Sequence, residues 1–425
     1  MIRVVVSGIG LISALGDNLE DSWRHLIAGK SGIKQHQPFP ELQPLPLGLI
    51  GNQPTELKSL ARDAVTSALQ DGSLIPPLPD CGIVIGSSRS HQGEWEMMAR
   101  WLYENERTRT QGDKEEKFSL PYELRHRMAY HPPIPSSHVT CYSEIDHGAT
   151  VAPHLPFLSS LPHMNAVAAA RVVGATEIVL APMAACATGI WALSQAFNLI
   201  KSGRCNRVVA GAVEAPITRL TITGFNKMGA LATTGAYPFD VNREGLVLGE
   251  GAAVFVLESA ELARQRGVKI YGEILGFGLS ADAYHPNQPQ PEGKGAISAV
   301  KQCLHRSHIS PGNIDYIHAH GTATPMNDRV ESRVIQNIFS KSVAVSSSKG
   351  STGHTLGASG ALGLAFSLMS LKHQILPPSV GLKESEFDLN LVSQARQSDI
   401  KRAMCFSFGF GGQNAVAVLG KARKL

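Results

Sequence analysis

Ten short runs rich in Val, Ile, Ala and Gly recur along the chain in two series, and this pattern constrains the fold more than any other feature. The first series is RVVVSG, CGIVIGSS, EIVLAPMA, RVVAGAVE and AAVFVLES, ending at residue 259. The second restarts with KIYGEILGFG at Lys269 and continues through IDYIHAHG, VAVSSSKG, AMCFSFGFG and NAVAVLGKA. Runs this apolar suit strands covered on both faces, which requires parallel or mixed sheets under helices. Helical patterns separate most of them. The sequence therefore reads as an α/β protein of two pseudo-repeated halves, residues 1–258 and 259–425, with central mixed sheets layered between helices. Its 41 glycines and 25 prolines are scattered among the runs and form no linker block, so one body is expected rather than tethered domains.

One stretch breaks the rhythm. From about residue 93 to 162 the chain is rich in charge, aromatics and prolines, and it reads as a helical excursion followed by a loop, laid over the core or at a subunit contact. The opening MIRVVVSGIGLISALG has the look of a signal peptide, but its β-branched run broken by Gly8 and Gly10 is a buried strand and turn. No uninterrupted apolar stretch reaches the length of a membrane span. Six cysteines, at 81, 141, 186, 205, 303 and 405, include no CxxC pair, which fits reduced thiols in a cytoplasmic protein and neither a disulfide framework nor a zinc site. The net charge is only +4 and no long Lys/Arg run occurs, which excludes a nucleic-acid stripe. It leaves room for a local basic patch toward an acidic partner, with Arg204 and Arg207 as candidates.

The chemistry concentrates at a few junctions. In APMAACATGIWALSQAFNLIKSG, residues 181–203, Cys186 stands between a strand and a helix whose apolar positions are Ile190, Leu193, Phe197 and Ile200. A buried cysteine is ordinarily a small hydrophobe. At the first turn of a helix, however, unpaired backbone N–H groups and the macrodipole favour a thiolate, and the flanking Ala184, Ala185, Ala187 and Gly189 let a substrate approach. Two histidines at strand ends, His320 in HAHGTATPMND and His354 in SSSKGSTGHTLGASG, are candidate partners. Lys349 adds a positive charge near the second. The glycine-rich FSFGFGGQNA, residues 406–415, sets Phe408 and Phe410 in a segment able to present backbone amides to an oxyanion. A rival pair, Cys141 with Asp146 and His147, lacks a helix start after its cysteine and reads as a surface loop.

Six blocks, in order and well spaced, carry a resemblance: VVVSGIGLISALG, AACATG, FDVNREGLVLGEGAAVFVLE, HAHGTATPMND, SKGSTGHTLGASGA and FSFGFGGQNA. Together they resemble the β-ketoacyl-acyl-carrier-protein synthases of the thiolase fold, closest to the elongating ketoacyl synthase II group. The resemblance implies an acyltransferase that extends a fatty-acid, polyene or polyketide chain by decarboxylative Claisen condensation of a malonyl thioester. It makes Cys186 the acyl acceptor, His320 and His354 the pair acting on the malonyl unit, and Lys349 an electrostatic support. The amides of Cys186 and Phe410 would form the oxyanion hole, Thr322 and Thr324 would hold the phosphopantetheine arm, and Phe410 would gate the site with Phe408 beside it. That arm arrives on an acyl carrier protein, so the chain needs no cofactor of its own, and a homodimer is implied.

Two departures stand out. A glutamate nine residues after the second histidine pairs with the lysine in many members, and here that place is Gly363; Gly350 replaces a common serine. The 93–162 segment also exceeds its counterparts by some tens of residues, which bears on the substrate. A coenzyme-A-dependent thiolase would carry a second catalytic cysteine near the C-terminus. A chain-length-factor-like subunit would lack the nucleophile.

Overall fold

The computed structural model describes residues 2–110 and 155–422. All ten apolar runs are strands. In chain order the strands are β1 (Val4–Ser13), the short pair β2 (Lys34–His36) and β3 (Leu45–Leu47), β4 (Cys81–Gly86), β5 (Val179–Leu180), β6 (Arg207–Glu214) and β7 (Gly251–Ser259). The second series follows as β8 (Gly272–Ala281), β9 (Tyr316–His318), β10 (Ala344–Ser346), β11 (Ile375–Leu376), β12 (Asn390–Leu391), β13 (Arg396–Gln397), β14 (Arg402–Gly409) and β15 (Gln413–Gly420).

Eleven of these form one mixed sheet in the order β12-β10-β9-β14-β15-β8-β1-β7-β6-β4-β5. Its two sides repeat one another: β5-β4-β6-β7-β1 has the same connectivity as β10-β9-β14-β15-β8. In each, the outer strands are parallel and the inner ones antiparallel. β1 and β8 pair over Val4–Val6 and Gly272–Ile274 and join the two halves into one sheet. The apolar strands demand cover on both faces, and helices provide it.

Two buried helices decide where the chemistry sits. Thr188–Lys201 follows β5, and Ser359–His373 follows β10 at the equivalent place in the second half. Every residue from Ser359 to Leu371 is buried, the behaviour of a helix apolar on all sides. The pair approach closely because glycines face the contact: a Cβ on Gly189 would lie 2.7 Å from Ala361 N, and one on Gly360 2.8 Å from Ile190 Cγ1. Cys186 and His354 lie just ahead of the starts of these helices, so their packing brings the two residues together.

The helical part of the excursion is present as Gln92–Thr110, tied to the chain at Ser160 by Trp95 Nε1–H donating to Ser160 Oγ at 2.7 Å. Cys141, Asp146 and His147 lie outside the described residues. Among the described residues no helix is long and apolar enough to cross a membrane.

Candidate active site

The turn that carries Cys186 is held open by small side chains and fixed by two hydroxyls. Ala185 adopts φ +47°, a left-handed conformation that costs a non-glycine residue and that clusters at functional turns. Thr188 Oγ1 accepts from Ala184 N at 2.8 Å and donates to Ala185 O at 2.7 Å. Ser407 Oγ donates to Cys186 O at 2.9 Å, tying the turn to β14. Cys186 is 6% exposed, and the Phe410 backbone amide acts on its thiol, favouring the charged form. Burial pushes the thiol up to about 11 against the pull of Lys349, that amide and Arg89. Helix-start stabilisation of a thiolate, which the sequence suggests, is outweighed here by desolvation, so the resting group is a thiol.

His320 follows β9, and His354 follows the turn after β10. Their rings meet edge to face with centroids 5.2 Å apart, and each residue is 2% exposed. His354 Nδ1 lies 2.8 Å from Ser359 Oγ, which leaves Nε2 as the nitrogen free to act. Lys349 Nζ is 3.4 Å from His320 Nδ1 and donates to His320 O. As an ammonium it makes Nδ1 the acceptor and leaves the proton on Nε2. Burial first, and the Lys349 charge second, hold both imidazoles well below the usual histidine range, so they are neutral at physiological pH.

The acid that acts on Lys349 comes from the helix Pro325–Ile338, where burial pushes the Glu331 carboxyl up to about 7. Glu331 accepts from His320 N at 2.6 Å and Gly321 N at 2.7 Å, clamping the loop that carries the histidine. Its charge is the foremost influence raising Lys349, against a burial that lowers it. The departure at Gly363 has a steric explanation, since a Cβ there would lie 2.6 Å from the His318 ring. His318 is a third buried imidazole, with Nε2 3.1 Å from Ser348 Oγ and burial pushing it down to about 3. At Gly350 a Cβ would lie 1.9 Å from Val380 O, leaving no room for serine.

The eight site residues implied by the resemblance meet here. Seven line a cavity of about 340 Å³, namely Cys186, His320, Thr322, Thr324, His354, Phe408 and Phe410, while Lys349 stands behind His320. Thr322 Oγ1 and Thr324 Oγ1 are 2.8 Å apart. Phe408 lies against His320 at 6.0 Å and Phe410 stacks on Phe225 at 5.7 Å. Gly409 lets β14 approach the Cys186 turn closely: a Cβ there would sit 3.0 Å from both Cys186 N and Ala184 O. Cys405 is in β14, buried and pushed up to about 12, with its sulfur 4.0 Å from His318 Nδ1 rather than in the cavity. Among the described residues no cluster of His, Cys, Asp and Glu is placed to hold a metal ion.

The basic patch read from Arg204 and Arg207 does not stand. Arg207 is 6% exposed and paired with Glu258 at 2.8 Å, and Arg204 follows the C-terminal end of the helix Thr188–Lys201, about 20 Å from its start. Glu331, Ser359, His318 and Arg89 escaped the sequence reading. Their roles depend on which loop each side chain meets, and the only hint was charge and hydroxyl content in otherwise apolar surroundings.

Residues 141–263 match the N-terminal domain of beta-ketoacyl synthases and residues 271–383 their C-terminal domain. The chain is 33% identical over 436 residues to a putative mitochondrial 3-oxoacyl-[acyl-carrier-protein] synthase of Schizosaccharomyces pombe, covering 98% of each. It is 32% identical over 456 residues to 3-oxoacyl-[acyl-carrier-protein] synthase 2 of Staphylococcus aureus, covering 99% of this chain and 98% of that protein. Among solved structures it resembles a type II polyketide ketosynthase, bound to a hexaketide, in complex with its acyl-carrier protein. The TM-score is 0.82 at 26% identity, covering 99% of this chain and all of that one. The ishigamide ketosynthase/chain length factor gives the same TM-score and identity.

Proposed function

The chain belongs to the beta-ketoacyl synthase family, and on that premise we propose that it joins a malonyl unit on an acyl carrier protein to an acyl group held on Cys186. The observation that carries this reading is the convergence of one buried thiol, two neutral imidazoles and the Phe410 amide in one cavity.

The chemistry follows from those protonation states. Cys186 Sγ attacks the incoming thioester, the bond between the acyl carbon and the carrier sulfur breaks, and the Cys186 proton passes to that sulfur, so the carrier leaves as a thiol. Malonyl decarboxylation then supplies the carbon nucleophile without a strong base, and the electrons left behind reside on the thioester oxygen as an enolate. Neutral imidazoles suit that oxygen: His320 donates from Nε2, because Lys349 occupies Nδ1, and His354 offers its own Nε2. The enolate carbon attacks the acyl carbonyl, the amides of Cys186 and Phe410 take the oxyanion, and the C–S bond to Cys186 breaks. One such preorganised donor is worth roughly 3–4 kcal/mol in the barrier. Thr322 and Thr324, at the cavity wall, are placed to hydrogen-bond the phosphopantetheine arm, so no cofactor of the chain's own is invoked.

A homodimer is supported by β5, a two-residue, half-exposed strand at the end of the sheet with exposed Met183 beyond it. Free, buried thiols at Cys81, Cys186, Cys205, Cys303 and Cys405 fit a reducing compartment such as the cytoplasm. A chain-length-factor-like role is the weaker reading, since Cys186, His320 and His354 are present together. Intact-protein mass spectrometry with acyl-carrier-protein thioesters, followed by carbon dioxide release from malonyl-carrier protein, tests the assignment. Acyl adduct on Cys186 and release dependent on the histidines are expected, and an unmodified Cys186 would overturn it.

A further inference from the structure

Behind the nucleophile the apolar wall contains one cation. Phe225 belongs with Cys186, Ile217, Ile222, Leu246 and Leu356 to a single apolar cluster, the surroundings expected for a hydrocarbon chain. The Arg89 guanidinium lies over the Phe225 ring at 5.5 Å, within cation–π range, and Phe225 in turn stacks on Phe410, whose backbone amide acts on the Cys186 thiol. The Arg89 charge is felt at the thiol. Phe410, Phe225 and Arg89 thus form a three-layer stack running outward from the reacting centre.

The backbone holds Arg89 in this place. Its N–H donates to Glu214 Oε1 at 2.9 Å, and the same buried carboxylate takes Ser87 Oγ, Ser88 N, Ser88 Oγ and Gly357 N. Glu214 is therefore committed to main-chain and hydroxyl donors. Among the described residues no carboxylate lies within ion-pair distance of the Arg89 guanidinium, which is half-buried. A guanidinium has five N–H donors in a rigid fork and is costly to desolvate without acceptors. For a wholly hydrocarbon substrate this position would be unfavourable; for an acyl chain with an oxygen acceptor along its length it supplies a charge-assisted hydrogen bond.

Resting on the proposed condensing activity, we propose that Arg89 is a specificity-determining residue that selects acyl groups bearing an oxygen acceptor, a carboxylate or a keto group, beyond the thioester, over saturated hydrocarbon chains of equal length. The fork receives that oxygen once the acyl group is on Cys186 and Phe410 and Phe225 have parted to admit the chain.

The test compares Cys186 acylation by octanoyl, 3-oxo-octanoyl and suberoyl thioesters, read as rate constants by intact-protein mass spectrometry on the full chain. One or both oxygenated chains should react about tenfold or more faster than octanoyl, the size expected of one charge-assisted hydrogen bond. The two arms tell a terminal carboxylate from an internal keto group. In Arg89→Leu all rates fall as the thiol loses a nearby charge, and the preference should vanish or invert. Arg89→Gln, which keeps donors without charge, should fall between and guards against a folding defect in the leucine variant. Equal or faster octanoyl transfer in the wild type overturns the inference and leaves the condensing activity standing, as does an oxygen preference that persists unchanged in Arg89→Leu. Absence of acylation by every thioester overturns the activity itself, and the inference with it.

Discussion

Replacing Glu331 with Gln removes a single charge and keeps the shape, yet the site should lose on two accounts. The carboxylate accepts two backbone N–H groups, from His320 at 2.6 Å and Gly321 at 2.7 Å. A glutamine has one carbonyl oxygen, so its NH₂ faces one of those donors and leaves it unpaired, at about 1–3 kcal/mol. The second loss is electrostatic. Lys349 is 3% exposed, and Glu331 is the foremost group sustaining its charge, although no direct ion pair joins the two. The unpaired donor sets the scale, so a loss of about 1–3 kcal/mol is expected, from a total on the order of 5–15 kcal/mol. Urea unfolding of wild type and variant measures it. A second readout separates stability from chemistry: without the carboxylate, Lys349 loses its proton at lower pH and no longer marks His320 Nδ1 as acceptor. The alkaline limb of malonyl decarboxylation should therefore move to lower pH in Glu331→Gln, and stay in place in Glu331→Asp, which keeps the charge. A destabilisation below about 1 kcal/mol, together with an unmoved alkaline limb, would refute the role given to Glu331.

Three further outcomes follow from the geometry. Cys186→Ala should abolish acyl adduct formation, whereas Cys405→Ala, which alters a strand thiol outside the cavity, should leave it intact; mass spectrometry distinguishes the two. Gly409→Ala should slow acyl transfer by tenfold or more with little loss of stability, because the new methyl would stand 3.0 Å from Cys186 N, where the oxyanion must sit; single-turnover kinetics measure this. His318 is pushed down to about 3, below an unfolded value near 6.5, so its neutral form adds nothing above pH 6.5 and native stability is lost as pH falls, because only the unfolded chain takes up the proton. Between pH 6.5 and 5 the wild type should therefore lose about 2 kcal/mol more than His318→Asn, and parallel pH–stability curves would contradict this.

Much of this architecture was legible because strand runs and helix starts are local signals. The ten apolar runs located ten strands, and the junctions at Cys186, His320 and His354 stood out by their small and hydroxyl neighbours. What stayed hidden depends on pairings across long separations. Glu331 sits on a helix face, and nothing in PMNDRVESRV says that its carboxylate turns back to the loop at His320. The missing acid at Gly363 looked like a defect until the His318 ring was found filling that space. Arg207 looked like a docking residue because charge in a sequence carries no depth, and Glu258 lies 51 positions away. The thiol likewise illustrates competition: a helix start favours the thiolate, but burial decides the resting state.

The repeated topology explains how one site draws on distant segments. Because β5-β4-β6 and β10-β9-β14 run in equivalent order, the ends of corresponding strands face one cavity from two sides. The end of β5 supplies Cys186, and its counterpart β10 leads to Lys349 and His354. The end of β9 supplies His320, and its counterpart β4 leads to Ser88 and Arg89. The end of β14 supplies Phe410, and its counterpart β6 ends in Glu214, which anchors the Arg89 backbone. The second half therefore furnishes the neutral donors suited to an enolate, while the first half furnishes the nucleophile and, on the acyl side, a cation. Corresponding strand ends thus carry an imidazole, His320, in the second half and a guanidinium, Arg89, in the first. Under the two proposals above, the one meets charge that develops during reaction and the other an oxygen already present in the substrate.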